Sequence, residues 1–356
     1  YAFNSCAGGD FAAAIASGNP IIAKANTGHP GTTKIFAECA FDAVQITGLP
    51  KATVQLLYRV LPEDGFKLVS HASIGATGFT GSKYAGLKLK EAADKMGKPI
   101  YLEMSSINPV FVLPGAIRER SEALAEEFYG SCRMGAGQFC TSPGLMVVQD
   151  NEESRGFINS IAKLFGSNSP QTLLGKNGPL DIKDGVKVLK ESGAQVLVGG
   201  EVAEGPGYAF EDTLLEVSGE AFIANPEALQ TEAFGPVSMI VVTKDTKEME
   251  GVAASMEGNL TGAFYSHTGD DDDPIYNQLA SVLRGKVGRL LNDKMPTGVA
   301  VVSSMNHGGP FPATGHPGFT AVGIPGSMVR FGALHCYDNV REHRLPVELQ
   351  DKNPTG

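Results

Sequence analysis

The chain has 356 residues, a mass of 37.4 kDa and a formal net charge of −10 at pH 7. This length exceeds that at which a single hydrophobic core stops growing, so we expect more than one domain. Nucleic acids and anionic membrane surfaces bind clustered Lys and Arg, and the acidic balance therefore excludes both as partners. No apolar run approaches the roughly 20 residues of a membrane-spanning helix, and no basic-then-apolar leader opens the chain, so we expect a cytoplasmic protein.

The cysteines are widely scattered and follow neither a CxxC pattern nor a Cys/His ligand spacing. This arrangement predicts neither a disulfide framework nor a zinc site, and we expect no bound metal. The cysteines are Cys6, Cys39, Cys132, Cys140 and Cys336.

Strand and helix patterns alternate over the first part of the chain. Short apolar runs bounded by turn residues predict strands, and longer patterns with a helical period predict helices between them. The predicted strands are 20–25, 53–58, 75–79 and 99–102, and the predicted helices are 11–17, 32–46, 64–70 and 82–96. This alternation favours a parallel, doubly wound sheet that binds its ligand at the carboxyl ends of the strands.

The alternation restarts with a long predicted helix at 116–133 and continues to about residue 302. Its strands are predicted at 145–149, 195–198, 213–217, 237–242, 260–265 and 287–291, with helices at 152–165, 182–192, 246–256 and 273–283. We therefore predict two doubly wound α/β domains, a partial nucleotide-binding domain at 1–108 and a catalytic domain at 109–306. The last segment, 307–356, opens with a Gly- and Pro-rich loop and contains an extended piece predicted at 327–337.

Cys140 lies in a loop of small and turn-forming residues, GAGQFCTSPG at 135–144. Glycines on both sides let backbone and substrate approach the thiol closely. Such a thiol is a nucleophile if a cation, a base or a helix N-terminus lies nearby, and otherwise a packed, inert cysteine. Glu103, at the end of the apolar strand PIYLE, is a candidate for that base and favours the nucleophile.

Residues 79–86, FTGSKYAG, follow a predicted strand and open a helix. Backbone N–H groups at such a helix start, around Gly81, Ser82 and Gly86, can hold a phosphate. The pattern is neither a P-loop nor the three-glycine dinucleotide fingerprint. From these residues alone, a phosphate site and a tight packing turn both remain open.

Four motifs in this order together resemble the aldehyde dehydrogenase superfamily. They are FTGS at 79–82, LEMSSINPV with Glu103, GAGQFCTSPG with Cys140, and EAFGPV at 232–237. The resemblance is to the NADP-dependent branch that includes α-ketoglutaric semialdehyde (2,5-dioxovalerate) and fatty aldehyde dehydrogenases. It implies the α/β fold of that family and a homodimer or homotetramer. It also implies that the family's amino-terminal part, with the asparagine of the oxyanion hole, precedes Tyr1 and is absent, and Asn4 does not take that role.

The resemblance further implies a nicotinamide cofactor, and Gly81, Ser82 and Gly86 match the family's cofactor loop. Lys24 matches the lysine that reaches the adenosine ribose. Thr27 stands where NAD-preferring relatives carry a glutamate that would repel a 2′-phosphate. Arg59 would bind that phosphate through its fork of donors, although a solvated loop arginine explains it equally well. We therefore expect NADP, with NAD as the alternative.

In the implied mechanism Cys140 attacks the aldehyde and forms a thioester, and Glu103 activates the water that hydrolyses it. Glu232 matches the glutamate that holds the nicotinamide ribose and, in this branch, aids thioester hydrolysis. Phe234 would pack on the cofactor. His307, in NHGGP, would contact the cofactor or fix its loop, and we favour the contact.

We weigh this dehydrogenase, acting on a semialdehyde or an aliphatic aldehyde, against two alternatives. A catalytically silent or incomplete relative would keep the fold for a structural or assembly role, but the retention of Cys140 and Glu103 speaks against it. A cysteine hydrolase would need a histidine base such as His307 and would leave the cofactor motifs unexplained. The sequence points to no basic group that would bind an acidic substrate.

Overall fold

The computed structural model describes residues 4–205, 207–316 and 326–353. Its strands are β1 (Ile21–Lys24), β2 (Val54–Leu57), β3 (Thr77–Thr80), β4 (Ile100–Glu103), β5 (Val110–Val112), β6 (Leu145–Gln149), β7 (Gln195–Val198), β8 (Thr213–Ser218), β9 (Val237–Thr243), β10 (Asn259–Tyr265) and β11 (Val287–Asn292). Its α-helices are α1 (Gly9–Ala16), α2 (Pro30–Thr47), α3 (Pro62–Ser70), α4 (Lys83–Asp94), α5 (Pro114–Arg133), α6 (Glu152–Ser167), α7 (Gly178–Glu191), α8 (Gly219–Ala224), α9 (Pro226–Leu229), α10 (Thr246–Ser255) and α11 (Asp273–Leu283).

One large sheet dominates the fold, with the strand order β11-β10-β5-β6-β9-β8-β7. Its strands run parallel, except that β7 pairs antiparallel with β8. Strands β9 and β10 are buried along their whole length. Continuous burial of this kind is expected where helices cover both faces of a parallel sheet.

A hydrophobic core lies on each face of this sheet. Along β5, Phe111 joins one core, whereas Val110 and Val112 join the other. The first core includes side chains of α7, α10 and α11, and the second includes side chains of α5 and α6. Because each fully buried aliphatic or aromatic side chain contributes roughly 1.5–3 kcal/mol, the two cores hold the strand ends of this sheet firmly.

The strands before residue 104 form two separate parallel pairs, β1 with β2 and β3 with β4. In the part of the chain that the structure describes, no ladder joins these pairs to each other. The carboxyl ends of β3 and β4 lie side by side, because Thr80 pairs with Glu103. A small core packs α3 and α4 against β4, and it consists of Val69, Ala93, Ile100, Leu102 and Met104.

The predicted helices and strands correspond to observed elements whose ends shift by a few residues, whereas the short elements β5, α8 and α9 were not predicted. The extended piece predicted at 327–337 is wrong in its first part, because Gly326–Phe331 forms a 3₁₀ helix. Tertiary contacts explain the difference. Ser17 Oγ donates to Met328 O at 3.2 Å and Asn19 Nδ2 donates to Phe331 O at 2.8 Å, so the segment docks on the end of α1.

The division into domains at 108/109 and 306/307 remains a prediction. β5 starts just after the first boundary and belongs to the large sheet. The loop after the second boundary packs closely on that sheet, since a Cβ on Gly309 would lie 2.2 Å from the carbonyl oxygen of Asn259. Within the described ranges, no helix combines the length and apolarity needed to cross a bilayer.

Candidate active site

Glu103 ends β4 at a point where three segments meet. Its backbone oxygen accepts a hydrogen bond from Gly81 N at 3.1 Å, so the FTGS turn lies against it. On the other side, Gly315 N donates to Leu102 O at 2.9 Å, so the C-terminal segment around Gly315 (the tail) lies along the edge of β4. Glu103 is 7% exposed. The exit of β4 therefore holds a carboxylate in a buried position between the FTGS turn and the tail.

The loop that carries Cys140 depends on a close approach of two backbones. Met134–Gly137 forms a 3₁₀ turn in which three consecutive residues have positive φ angles. A Cβ on Gly137 would lie 2.1 Å from the carbonyl oxygen of Gly235, so this contact and its φ of +70° require glycine. The contact fixes the cysteine loop against the EAFGPV segment.

Two buried asparagines, Asn108 and Asn259, order the backbone next to Cys140. Asn108, at a φ of 47°, donates from Nδ2 to the carbonyl oxygens of Cys140 and Ser142, both at 2.9 Å. Asn259 Oδ1 accepts from the backbone N–H groups of Ile107 and Asn108 at 2.9 and 3.1 Å. Asparagine tolerates the left-handed conformation that this arrangement needs. The sequence did not predict this role for either asparagine.

His307 joins the sulfur to the carboxylate. Its Nε2 lies 3.4 Å from Cys140 Sγ and 3.0 Å from Glu103 Oε1, and the three ligand atoms all lie within 4.8 Å of one another. His307 is 6% exposed, whereas Cys140 is only partly buried. The structure thus brings three of the predicted site residues into one cluster, with the sulfur on its more open side.

Charge within the cluster favours a protonated ring. Burial lowers the pKa of His307, but its hydrogen bonds with Cys140 and Glu103 and their negative charges outweigh burial and raise its pKa to about 10. The ring is therefore positively charged at neutral pH. A single nitrogen serves both neighbours, whereas in Ser-His-Asp triads the nucleophile and the acid contact opposite ring nitrogens. The cluster therefore places a positive charge between sulfur and carboxylate and does not relay a proton across the ring.

Glu232 lines a cavity together with Phe139 and Ser142 of the cysteine loop. Burial raises the pKa of Glu232 to about 7, although hydrogen bonds from the Ser105 hydroxyl and the Ser106 backbone N–H oppose this rise. A carboxyl group that titrates near neutral pH can both release and take up a proton during turnover.

An ion pair between a buried arginine and a half-buried aspartate lines the same cavity as Glu103. Arg330 donates from Nη1 to Asp10, and its guanidinium carbon lies 4.9 Å from the centroid of the Phe331 ring. Burial raises the pKa of Asp10, the charge and hydrogen bond of Arg330 lower it, and the charge of Glu103 raises it. Asp10 and Glu103 are therefore close enough to influence each other. Sequence analysis missed this pair, whose members are 320 residues apart.

The residues predicted to form a cofactor loop make tight packing contacts. Ser82 Oγ accepts from Ala85 N at 3.3 Å and thereby caps α4. A Cβ on Gly86 would lie 2.9 Å from Met104 Sδ, so glycine lets α4 approach the end of β4. A Cβ on Gly81 would lie 2.7 Å from the Phe79 ring. These contacts fit the packing-turn interpretation, and phosphate binding stays a prediction.

The other predicted cofactor residues lie apart from this turn. Lys24 ends β1 and pairs with Leu57 of β2, and Arg59 follows shortly after β2, so the two cations come from neighbouring strand ends. The side chains of Lys24, Thr27 and Arg59 are exposed, as is Phe234 beside Glu232.

The chain is similar to known proteins over most of its length. The model of the aldehyde dehydrogenase family matches residues 3–283. The chain is 39% identical over 353 residues to alpha-ketoglutaric semialdehyde dehydrogenase 2 of Azospirillum brasilense, and 34% identical over 355 residues to the alpha-ketoglutaric semialdehyde dehydrogenase of Acinetobacter baylyi. Each of these alignments covers 98% of this chain and 66% of the relative. The chain therefore spans about two thirds of the length of the curated relatives it matches.

Solved structures show the same fold. A point mutant of the betaine aldehyde dehydrogenase of Staphylococcus aureus, in complex with NAD+, superimposes with a TM-score of 0.75 over 91% of this chain and 63% of its own, at 20% sequence identity. The lactaldehyde dehydrogenase of Escherichia coli gives a TM-score of 0.72 over 90% of this chain and 64% of its own, at 22% identity. At these identities the likeness concerns the fold alone. Together with the sequence matches, it shows that the chain belongs to the aldehyde dehydrogenase family.

Proposed function

We propose that this chain carries the active site of an NADP-dependent dehydrogenase that oxidises a semialdehyde or an aliphatic aldehyde to its carboxylic acid. The observation that carries the proposal is the cluster in which the reactive atoms of Cys140, His307 and Glu103 lie within 4.8 Å of one another. A nucleophile, a cation and a base placed within reach of one another are what acyl transfer through sulfur requires. The two semialdehyde dehydrogenases named above support the substrate class.

Cys140 is the nucleophile in this mechanism. Its sulfur adds to the aldehyde carbon and forms a thiohemiacetal, while the backbone N–H of Cys140 stabilises the negative oxygen. The charged ring of His307, 3.4 Å from the sulfur, stabilises negative charge there before the attack and after the sulfur is released. Asn108 holds the backbone around the sulfur in place throughout.

Glu103 is the base that completes the reaction. A carboxylate offers about four lone-pair sites, so Glu103 can accept a hydrogen bond from His307 and another from a water molecule at the same time. It removes a proton from this water as the water attacks the thioester carbonyl, and Cys140 leaves as a thiolate beside His307. Glu232, whose pKa is about 7, assists by exchanging a proton.

The chain's donor set fits an anionic dinucleotide. Lys24 and Arg59 offer exposed positive charges at neighbouring strand ends, and Thr27 adds no negative charge there. In this proposal Lys24 holds the adenosine ribose, Arg59 the 2′-phosphate and Glu232 the nicotinamide ribose, with Phe234 packed beside it. When bound, the cofactor supplies the two-electron oxidation that converts the thiohemiacetal into the thioester. A contact between His307 and the cofactor stays a prediction.

The test is to follow NADPH formation by absorbance with a panel of semialdehydes and aliphatic aldehydes. It uses the 356-residue chain and a form extended at its amino terminus to the length of the curated relatives. The C140A variant should lose turnover by at least roughly a thousandfold, whereas C39A, which alters an exposed cysteine, should keep it. Undiminished turnover by C140A would overturn the proposal. A wild-type protein that is inactive in both forms would instead support a silent relative.

The contact between Cys140 and His307 favours one second candidate, a cysteine hydrolase. A thiol beside an imidazole is the arrangement that thioesterases and peptidases use. Hydrolysis of p-nitrophenyl acetate without any nicotinamide, at a rate above that of aldehyde oxidation, would support this candidate. The bridging of Cys140 and Glu103 through one ring nitrogen argues against it, because the carboxylate then does not orient the ring from its far side.

A cytoplasmic location and assembly into a homodimer or homotetramer remain predictions. Sedimentation of the purified protein measures the assembly directly.

A further inference from the structure

Arg289 is a partly buried cation on β11, and its surroundings leave part of its guanidinium without a partner. Nη2 donates to Pro296 O at 3.3 Å, and Nη1 makes only a weak contact of 3.9 Å with Met305 Sδ. Nε is buried and has no hydrogen-bond partner. Among residues 4–205, 207–316 and 326–353, no carboxylate acts on Arg289, and the charge that does is that of Cys140.

The two loops that hold the guanidinium also flank the nucleophile. The loop that follows Pro296 returns to the cysteine loop, because Gly298 N donates to Thr141 Oγ1 at 3.2 Å, directly after Cys140. The segment of Met305 continues, two residues later, into the histidine whose ring lies 3.4 Å from the sulfur. Arg289 is therefore enclosed by the same segments that position the sulfur.

A cation that is partly withdrawn from water without a counter-ion costs free energy, and such groups concentrate where a ligand supplies the opposite charge. Burial lowers the pKa of Arg289, and the charge of Cys140 opposes this effect. Cys140 and Glu103 already have a partner, because His307 binds both. Arg289 thus keeps donors that none of these groups occupies.

We propose that Arg289 binds the carboxylate of a substrate that carries an acid group in addition to its aldehyde. The inference rests on the proposed function, since it assumes that the aldehyde carbon lies at the sulfur of Cys140. A guanidinium presents its N–H groups in a planar fork that matches a carboxylate, and the unpartnered Nε is one prong of that fork. A plain aliphatic aldehyde would leave Arg289 unpaired, so this residue selects between the two substrate classes considered above.

The test uses small thiol reagents, because they report on the sulfur's surroundings without any turnover or cofactor. The probes are 2-carboxyethyl methanethiosulfonate, its neutral ethyl analogue and its cationic 2-aminoethyl analogue. Mass spectrometry of the Cys140 peptide gives the rate for each reagent, and the exposed Cys39 in the same protein serves as an internal reference. The variants are R289M, R289K and, as a matched loss of one charge, R118M on the exposed face of α5.

For R289M, we expect the ratio of the anionic to the neutral rate at Cys140 to fall roughly three- to tenfold, and the ratio of the cationic to the neutral rate to rise. R289K should fall between R289M and the wild type, because lysine keeps the charge but not the fork. R118M should leave both ratios unchanged. An unchanged ratio in R289M would overturn the inference, as would an equal loss of all three rates, which would mean that Arg289 acts on the sulfur itself.

Steady-state kinetics give a second readout that separates this inference from the proposed function. R289M should raise the KM for succinic semialdehyde roughly tenfold and leave the KM for butanal unchanged. If the wild-type protein oxidises neither aldehyde but the reagent ratios change as expected, the anion site stands and the dehydrogenase proposal fails. If the wild type oxidises both aldehydes and R289M leaves both KM values unchanged, the anion site alone is refuted.

Discussion

Two carboxyl groups near the cysteine loop, Glu103 and Glu232, have different surroundings. Glu103 accepts a hydrogen bond from the charged ring of His307 at 3.0 Å. Glu232 has neutral donors, the Ser105 hydroxyl and the Ser106 backbone N–H, and burial raises its pKa to about 7. The comparison teaches that a cation beside a buried carboxylate compensates for lost hydration, whereas neutral dipoles compensate only in part.

In the proposed mechanism, this difference gives the two groups different tasks. Glu103, next to the cation, activates the water. A carboxyl group that titrates near neutral pH exists in both forms and suits the exchange of protons. Replacing Glu103 and replacing Glu232 by a neutral glutamine should therefore give distinct results.

The largest effect is expected for E103Q. Glutamine keeps the shape but cannot take a proton from water, so steady-state turnover should fall by roughly 10²- to 10⁴-fold. The first turnover should survive, because Cys140 can still attack the aldehyde. Stopped-flow absorbance should therefore show a burst of NADPH of about one equivalent, followed by a very slow phase. E126Q, which alters an exposed carboxylate on α5, is the matched control and should behave like the wild type. If E103Q turned over at the normal rate and showed no burst, Glu103 would not have the task that distinguishes it from Glu232.

A smaller effect, on stability, is expected for H307N, which removes the cation beside Glu103. The pKa of His307 is raised above its ordinary value of 6.5 to about 10, so its contribution to the free energy of unfolding is fully present below about pH 6.5 and is lost as the pH rises through about 10. H307N should therefore lose roughly 1–3 kcal/mol relative to the wild type at the lower pH and less at the higher pH. Urea denaturation at both pH values measures this.

The matched control for that experiment is H335N, because His335 is exposed. Its stability difference from the wild type should not change with pH. A deficit of H307N that grows with rising pH would contradict the charged ring between sulfur and carboxylate.

The smallest effect is expected for E232Q, which alters the carboxyl group that has only neutral donors. The folded pKa of Glu232 is raised from 4.5 to about 7, so the unfolded chain releases this proton first. The free energy of unfolding should therefore decrease as the pH rises through that range. E232Q removes this contribution and should become more stable relative to the wild type by about 1–2 kcal/mol across the range. Thermal melts against pH measure the difference, and a wild type and E232Q that follow parallel curves would refute the raised pKa.

The sequence predicted the parts of this site that depend on local order. Glu103 ends an apolar run that was predicted as a strand, and Cys140 stands near Gly137, which the close contact with Gly235 requires. Strand β5 was missed, because its three residues are too few to show a period.

Contacts between distant parts of the chain were beyond the reach of the sequence. His307 lies 167 residues from Cys140 and 204 residues from Glu103, so no spacing rule could pair them. The same holds for Arg289, which lies within the strand predicted at 287–291 and shows no local signal of a site. Its relevance comes from the loops that enclose it, and those loops are positioned by the packing of the whole sheet.

The central claim is that Cys140 carries the acyl group and Glu103 releases it. The most direct measurement is mass spectrometry of the Cys140 peptide from E103Q protein, quenched in acid shortly after mixing with aldehyde and NADP. The account predicts that this peptide gains the mass of the acyl group in E103Q and is nearly unmodified in the wild type. An E103Q protein that has formed NADPH while its Cys140 peptide remains unmodified would contradict it.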